Sequence, residues 1–341
     1  MSAPAPAPLP AVSVVIPCRD AAEFLGEAID SALAQEGVRV EVVVVDDGST
    51  DGSLEVARGY GSRVRTIALP RSGGPAAARN EGARAATGDA LLFLDADDVL
   101  GPGTLASLAA ALHGRGDALA ACPWRRLRRR GGRWEPAAAD RPFPVAGADP
   151  LRGWLEGAWV PTCALLWGRG AFDASGGWDP EITQNEDGDL AMRALAGGAP
   201  LLLAEDGEGF YRTHGAERLT VSGDVFSAPR LRSRARVLEK LEVLLGPRLP
   251  AYADAVGMAW HHLAQDAFRG GHPELGRVCL ARGRVRAGER AISRTRAGRL
   301  LARLVGLERK ERLAAALARL GIATAAGRRL RRLRALAEGA R

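Results

Sequence analysis

The chain has 341 residues, 47% of them hydrophobic, enough for one large or two medium domains with a sizeable core. Its net charge of +7 is divided unevenly: residues 1–224 carry 21 basic and 31 acidic side chains, and residues 225–341 carry 24 Arg, 2 Lys and 9 acids. The four cysteines form no CxxC pair and no run of about 18 apolar residues occurs, which argues against a zinc ribbon, a disulfide framework and a membrane-spanning helix.

Residues 1–11, MSAPAPAPLPA, lack the basic start and apolar stretch of a secretory signal and read as a disordered lead-in, with a reducing cytoplasm as the expected compartment. Val12–Pro17 is a continuous β-branched run, predicting a buried strand. Ala22–Gln35 places Phe24, Leu25, Ala28, Ile29, Ala32 and Leu33 at helical spacing. Val40–Ser49 is a second buried strand that stops on Asp46 and Asp47, and a helix follows with Asp51 or Ser53 as its cap. Val64–Pro70 predicts a third strand, a Gly-rich turn then runs into a helix at GGPAAARNEGARAAT, and DALLFLDADD is a fourth strand. Strand and helix in alternation predict a parallel sheet with helices on both faces. Trp124–Trp134 places arginines between two tryptophans and reads as a solvated hairpin. TQNEDGDLAMRALAGG is a further helix. From Val225 the pattern is helical, broken at Gly246–Pro250, Gly270–Pro273 and Gly321.

Ligands of open α/β sheets bind outside the carboxyl ends of the strands. Asp46 and Asp47 end one strand, and Asp95, Asp97 and Asp98 end another, so both clusters belong on one edge. Capping is the plain alternative: Asp98 is placed to cap a helix starting near Pro102. One cap does not require three acids, however, and like charges this close raise one another's proton affinity. A divalent cation relieves that repulsion, and Mg2+ and Mn2+ combine one or two carboxylates with substrate phosphates.

Four segments in order, VSVVIPCRDAAEFLGEAIDSALAQ, VEVVVVDDGSTDGS, GGPAAARNEGARAATGDALLFLDADD and NEDGDLAMRAL, resemble the family 2 glycosyltransferases over roughly residues 12–215. The resemblance implies a GT-A fold, a Rossmann-like, mostly parallel sheet flanked by helices. The catalytic domain would span 12–224, with an all-α, basic extension over 225–341. It implies an inverting transfer of sugar from a nucleotide donor to a glycan or lipid-linked acceptor, assisted by Mg2+ or Mn2+. DADD looks like the DXD element, with Asp97 as the direct metal ligand and Asp95 or Asp98 on the ribose or a metal-bound water. In the same resemblance Asp46 recognises the base beside Asp47, Pro17, Arg19 and Asp20 wrap the nucleotide, and Arg79 touches a phosphate. Asp187 falls at the catalytic base position and Glu186 shapes the acceptor pocket. His214 completes the metal shell or touches the diphosphate.

Several positions keep a second reading. Glu186 and Asp187 would also favour the dipole of a helix start. His214 is a lone histidine, and most of these are structural. Trp178 either stacks on an acceptor sugar or lies in the core, and His261 and His262 sit on an apolar helical pattern. Leu330, Leu333 and Leu336 share a side among arginines; such a helix lies on anionic lipid at the inner face of the cell membrane or covers a hydrophobic groove. Nucleic acid is not an expected partner, because no recognition motif accompanies the basic tail and the acidic front repels phosphate. The alternative to an enzyme is a sugar-nucleotide or carbohydrate-binding module with a decayed site, against which the intact DADD and NED segments speak. Oligomeric state has no signal in the sequence.

Overall fold

The computed structural model describes residues 9–138, 147–214, 226–288 and 296–319. Strand and helix alternate at first: β1 (Val12–Cys18), α1 (Ala22–Leu33), β2 (Val40–Asp46), α2 (Ser53–Gly59), β3 (Arg65–Ala68), α3 (Pro75–Ala85) and β4 (Ala90–Phe93). Shorter elements follow: β5 (Val99–Leu100), α4 (Thr104–Leu112), β6 (Leu119–Ala121), β7 (Trp124–Arg130), β8 (Arg133–Pro136), α5 (Pro150–Leu155), β9 (Leu165–Gly168) and α6 (Arg169–Ala174). Then come α7 (Glu186–Ala196), β10 (Leu201–Leu203) and β11 (Gly209–Arg212). The remainder is helical: α8 (Ala228–Leu245), α9 (Leu249–Arg269), α10 (Pro273–Ala287), α11 (Arg296–Val305) and α12 (Leu307–Arg319).

A seven-stranded sheet has the order β10-β6-β9-β4-β1-β2-β3. The strands β4, β1, β2 and β3 are parallel neighbours. β1, β2 and β4 are buried almost throughout, which is why they read as unbroken apolar runs. β3 has a partner on one side only and no fully buried residue, so its pattern is weaker and it is shorter than the expected 64–70. The sheet is mostly parallel, as expected, and its antiparallel member is β9, which is inserted between β4 and β6 and runs against both. An apolar run encodes burial and carries no strand direction.

A second, four-stranded sheet has the order β5-β11-β7-β8. The arginine-rich stretch forms its β7–β8 hairpin, turning through Gly131 (φ +55°) and Gly132 (φ +83°). Both turn residues have positive φ, as the two-residue turn that matches strand twist requires.

The helical region packs on the sheet domain through charge as well as apolar contact. From α8, Lys240 Nζ reaches Asp179 at 2.8 Å and Asp189 at 3.0 Å. From α9, Asp254 pairs with Arg152 of α5 at 3.0 Å. α9 and α10 form a hairpin whose backbones nearly touch: a Cβ on Gly257 would lie 2.4 Å from that of Ala287. The helix breaks fall where expected, at Gly246–Arg248 and between Arg269 and Pro273. Residues 1–8, Gly321 and the Leu330–Leu336 face lie outside the described residues. Among those described, no helix is long and apolar enough to cross a membrane.

Candidate active site

The parallel register sets Cys18 beside Asp46 and Val15 beside Phe93, so β1, β2 and β4 end on one edge. Pro17 pairs with Val45 inside the sheet and places Arg19 and Asp20 just beyond it. Asp20 has φ +49°, a conformation that side chains other than glycine rarely adopt. Its Oδ1 accepts from the Thr50 amide at 2.7 Å and the Thr50 hydroxyl at 3.1 Å, tying the end of β1 to the loop after β2. Arg19 is exposed and bonds the Ser72 hydroxyl.

The two acids that end β2 have different tasks. Asp46 is buried; its Oδ2 accepts from the Gly48 and Ser49 amides at 3.2 Å each, and its Oδ1 has no protein donor. A buried carboxylate oxygen left open at a cleft is suited to a ligand N–H. Asp47 is committed to structure: it accepts from the Gly73 amide at 2.7 Å, the Gly74 amide at 2.9 Å and the Ser72 hydroxyl at 2.8 Å. It thereby shapes the Gly-rich turn that leads into α3. Asp51 does bracket a helix start, accepting from the Ser53 amide at 3.0 Å and the Ala22 amide at 2.9 Å.

Arg79 joins the acid clusters. α3 carries it into the space between β4 and α7, where the residue is 5% exposed. Its Nη2 donates to Asp95 Oδ1 at 2.5 Å, its Nη1 lies 3.9 Å from Glu186 Oε1, and its guanidinium stacks on the Trp178 ring at 4.4 Å. Nε and Nη1 have no acceptor. In this arrangement the guanidinium bridges the two acid clusters, while two of its nitrogens keep no protein acceptor. Of the two readings of Trp178, the core is the one its surroundings favour. It is 3% exposed, packed edge-on against Phe93 and under Arg79, so it offers no free face to a sugar.

Within DADD the three acids separate. Asp95 is held by Arg79. Asp97 is partly exposed, and its Oδ2 lies 2.6 Å from His214 Nε2. Asp98 is buried, and its Oδ1 accepts from the Arg212 amide of β11 at 2.8 Å. Burial, and then the charges of Asp97 and Asp95, hold its carboxyl well above the usual carboxylate range. Asp98 thus joins the two sheets and does not cap α4, which starts at Thr104.

Asp187 begins α7 after Asn185, whose φ is +66°. Strained backbone of this kind persists where the surroundings enforce it. The Asp187 carboxyl is half-buried and pushed up to about 6, first by burial and then by the Glu186 charge, against the Gly188 amide and Arg79. A carboxylate near that value is a competent general base. Asp189 is not comparable: it is buried and ion-paired with Arg193 at 2.8 Å and Lys240 at 3.0 Å.

Three residues with structural weight at the site escaped the sequence reading. Arg212 is buried between the Phe24 and Trp134 rings, 4.7 Å from each; it donates to the Asp97 carbonyl and to Glu27, both at 2.6 Å. Asn80 exchanges two bonds with the Trp178 backbone, at 2.8 and 2.9 Å. Tyr211 stands close enough to both clusters that burial and the charges of Asp98, Asp95, Asp97 and Asp187 all raise its phenol's proton affinity. The adjacency of Arg and Asn in ARN, and of Tyr, Arg and His in YRTH, was the available signal.

Residues 13–169 match the model described as Glycosyl transferase family 2. A 106-residue stretch is 48% identical to the succinoglycan biosynthesis protein ExoO of Rhizobium meliloti, covering 31% of this chain and 30% of that protein. Over 213 residues it is 34% identical to the succinoglycan biosynthesis protein ExoU of the same organism, covering 55% and 58%. The chain therefore spans between 30% and 58% of the length of these curated relatives. Staphylococcus aureus TarS 1-349 in complex with UDP-GlcNAc superposes with a TM-score of 0.58 at 17% identity, over 92% of each chain. The mannosyltransferase PcManGT from Pyrobaculum calidifontis, in complex with GDP-Man and Mn2+, gives 0.53 at 20% identity, over 93% of this chain and 89% of that one. The mixed sheet with its helical extension is accordingly a GT-A fold, and residues 13–169 of the chain are similar to glycosyl transferase family 2.

Proposed function

We propose that the protein is an inverting glycosyltransferase that moves a sugar from a nucleoside diphosphate to a hydroxyl of a glycan or lipid-linked acceptor. Its catalytic domain would span residues 12–224, with residues 225–341 as a helical support. The relatives named for succinoglycan biosynthesis, and the structural neighbours holding UDP-GlcNAc or GDP-Man, support that substrate class. The observation that carries the reading is the pair of acid clusters at one sheet edge, joined through Arg79.

In this reading the open Oδ1 of Asp46 accepts from the base, and Asp20, Arg19 and Pro17 line the same pocket. Asp97 and His214 fit a divalent cation. The two side chains are hydrogen-bonded at 2.6 Å, and an ion there would take the carboxylate oxygen and the imidazole nitrogen as ligands in place of that bond. Mg2+ or Mn2+ would take its further ligands from phosphate and water. Bound there, the ion would supply positive charge for the departing diphosphate. Asp95 is steered by Arg79 toward the donor, Asp98 fixes the loop from below, and Glu186 borders the acceptor. Asp187 takes the acceptor proton as the hydroxyl attacks.

A thermal-shift screen of UDP- and GDP-sugars, with and without Mn2+ or Mg2+, tests this. One donor should raise Tm only with metal and should release its nucleoside diphosphate. Metal-dependent binding with no turnover toward any hydroxyl acceptor would instead identify a decayed binding module, and the absence of metal-dependent binding would reject the reading.

A further inference from the structure

The surface of the helical region differs from that of the sheet domain. Among the described residues, 11 large hydrophobic side chains are exposed, and 9 of them lie at or beyond Val243. Five belong to α11 and α12: Leu300 (60% exposed), Leu301 (44%), Leu304 (74%), Val305 (39%) and Leu313 (56%).

On α11 the four apolar residues fall within an arc of about 140° at ~3.6 residues per turn. Ala302, 6% exposed, holds the opposite side of the helix to the protein, and Leu307, 3% exposed, anchors the following turn. Among the described residues, the apolar stripe is therefore the outward face of a docked helix. Exposed arginines flank it: Arg303, Arg309 and Arg312, the last with a 69% exposed side chain. Residues 225–341 carry 26 basic and 9 acidic side chains.

We propose that the outward face of α11, with Leu313 and the flanking arginines, docks on an anionic lipid surface. An outward apolar stripe edged by arginine matches both layers of such a surface, acyl chains beneath and negative head groups at the rim. A second copy of the chain fits less well. A two-fold pairing of this face would bring its own arginines together, and like charges across an interface oppose association. The inference does not depend on the donor or on the reaction.

Flotation of the full chain with phosphatidylcholine vesicles, with and without phosphatidylglycerol, tests it. The wild type should float with the anionic vesicles only and be released by high salt. Leu300→Ser with Leu304→Ser should weaken flotation about tenfold or more. Because both residues are exposed, that variant should keep the wild-type melting temperature and wild-type donor hydrolysis. Arg309→Glu with Arg312→Glu should lower binding to anionic vesicles and leave the protein monomeric. Undiminished flotation of the leucine variant would overturn the proposal, as would equal binding to neutral vesicles. So would a lipid-free dimer, detected by light scattering, that the leucine variant abolishes.

Discussion

Buried charge is treated in opposite ways in the two halves of the molecule. In the sheet domain, Asp46 Oδ1, Asp98 Oδ2, and Arg79 Nε and Nη1 are buried with no hydrogen-bond partner, and all four surround the strand ends. In the helical region the buried charges are matched. Glu311, fully buried, accepts from Arg269 at 2.7 and 2.9 Å, Gln265 at 3.1 Å and Lys310 at 2.7 Å. Burial alone would raise its proton affinity; the charges of Arg269 and Lys310 outweigh burial and hold the carboxyl below its ordinary range. Asp266 Oδ1 and Arg269 Nη1 lack a hydrogen bond but lie 3.5 Å apart as an ion pair. Unmet buried polar groups are costly, so they persist where a ligand completes them. Matched ones are architecture.

The contrast is sharpest between two aspartates of one helix. Asp187→Asn keeps shape and removes basicity, and should lower kcat by about 10²–10⁴ with donor affinity little changed. Asp189→Asn, two residues on, should instead lower unfolding stability by about 3–5 kcal/mol, because Lys240 and Arg193 lose their buried counter-charge. Steady-state kinetics beside urea unfolding separates them; exchanged phenotypes would mean the motif has been read out of register.

Next in size is the matched cluster itself. Glu311→Ala leaves Arg269 uncompensated and should destabilise the protein by about 3–5 kcal/mol while donor binding at low temperature is retained. A mild effect would show that α12 contributes little to the fold.

A smaller effect is expected at the open oxygen. Asp46→Ala should weaken binding of the free nucleoside diphosphate by about 1.5–3 kcal/mol, with or without metal. Calorimetric titration reads this directly, and equal affinities would make Asp46 a turn residue only.

The smallest effect is on stability. Asp187 has a folded-state affinity for protons above that of the unfolded chain. Between the ordinary carboxylate range and about pH 6 the folded protein holds a proton that the unfolded chain has released, so stability falls as pH rises through that window. Asp187→Asn removes the penalty and should be more stable than wild type at neutral pH by on the order of 1–2 kcal/mol, with no gain below the window. Urea unfolding on both sides of the window checks the sign.

The sequence announces burial and end-points better than partnership. β1, β2 and β4 are readable because both their faces are covered, and the β7–β8 turn because two adjacent glycines permit its φ values. The acids at the strand ends were legible as a group, since parallel strands deliver their ends to one edge. Their division of labour was not. Asp47 and Asp46 are adjacent and chemically identical; only the position of Gly73 and Gly74, 26 and 27 residues away, makes one structural and leaves the other open. Arg79 and Trp178 were each noticed singly, yet the contact between them joins positions 99 residues apart, and the Asn80–Trp178 clasp joins positions 98 apart, both beyond the reach of local pattern. The direction of β9 is another such long-range fact.

The most direct test of the link between the clusters is the pH dependence of kcat at saturating donor, for wild type, Arg79→Lys and Arg79→Met. Wild-type turnover should fall as pH drops through about 6, where Asp187 gains its proton. Arg79 lowers that value, so Arg79→Met should move the fall upward in pH, and Arg79→Lys should restore much of the wild-type profile. An unchanged midpoint in Arg79→Met, with only a uniform loss of rate, would contradict the claim that one buried arginine couples donor-side and acceptor-side acids.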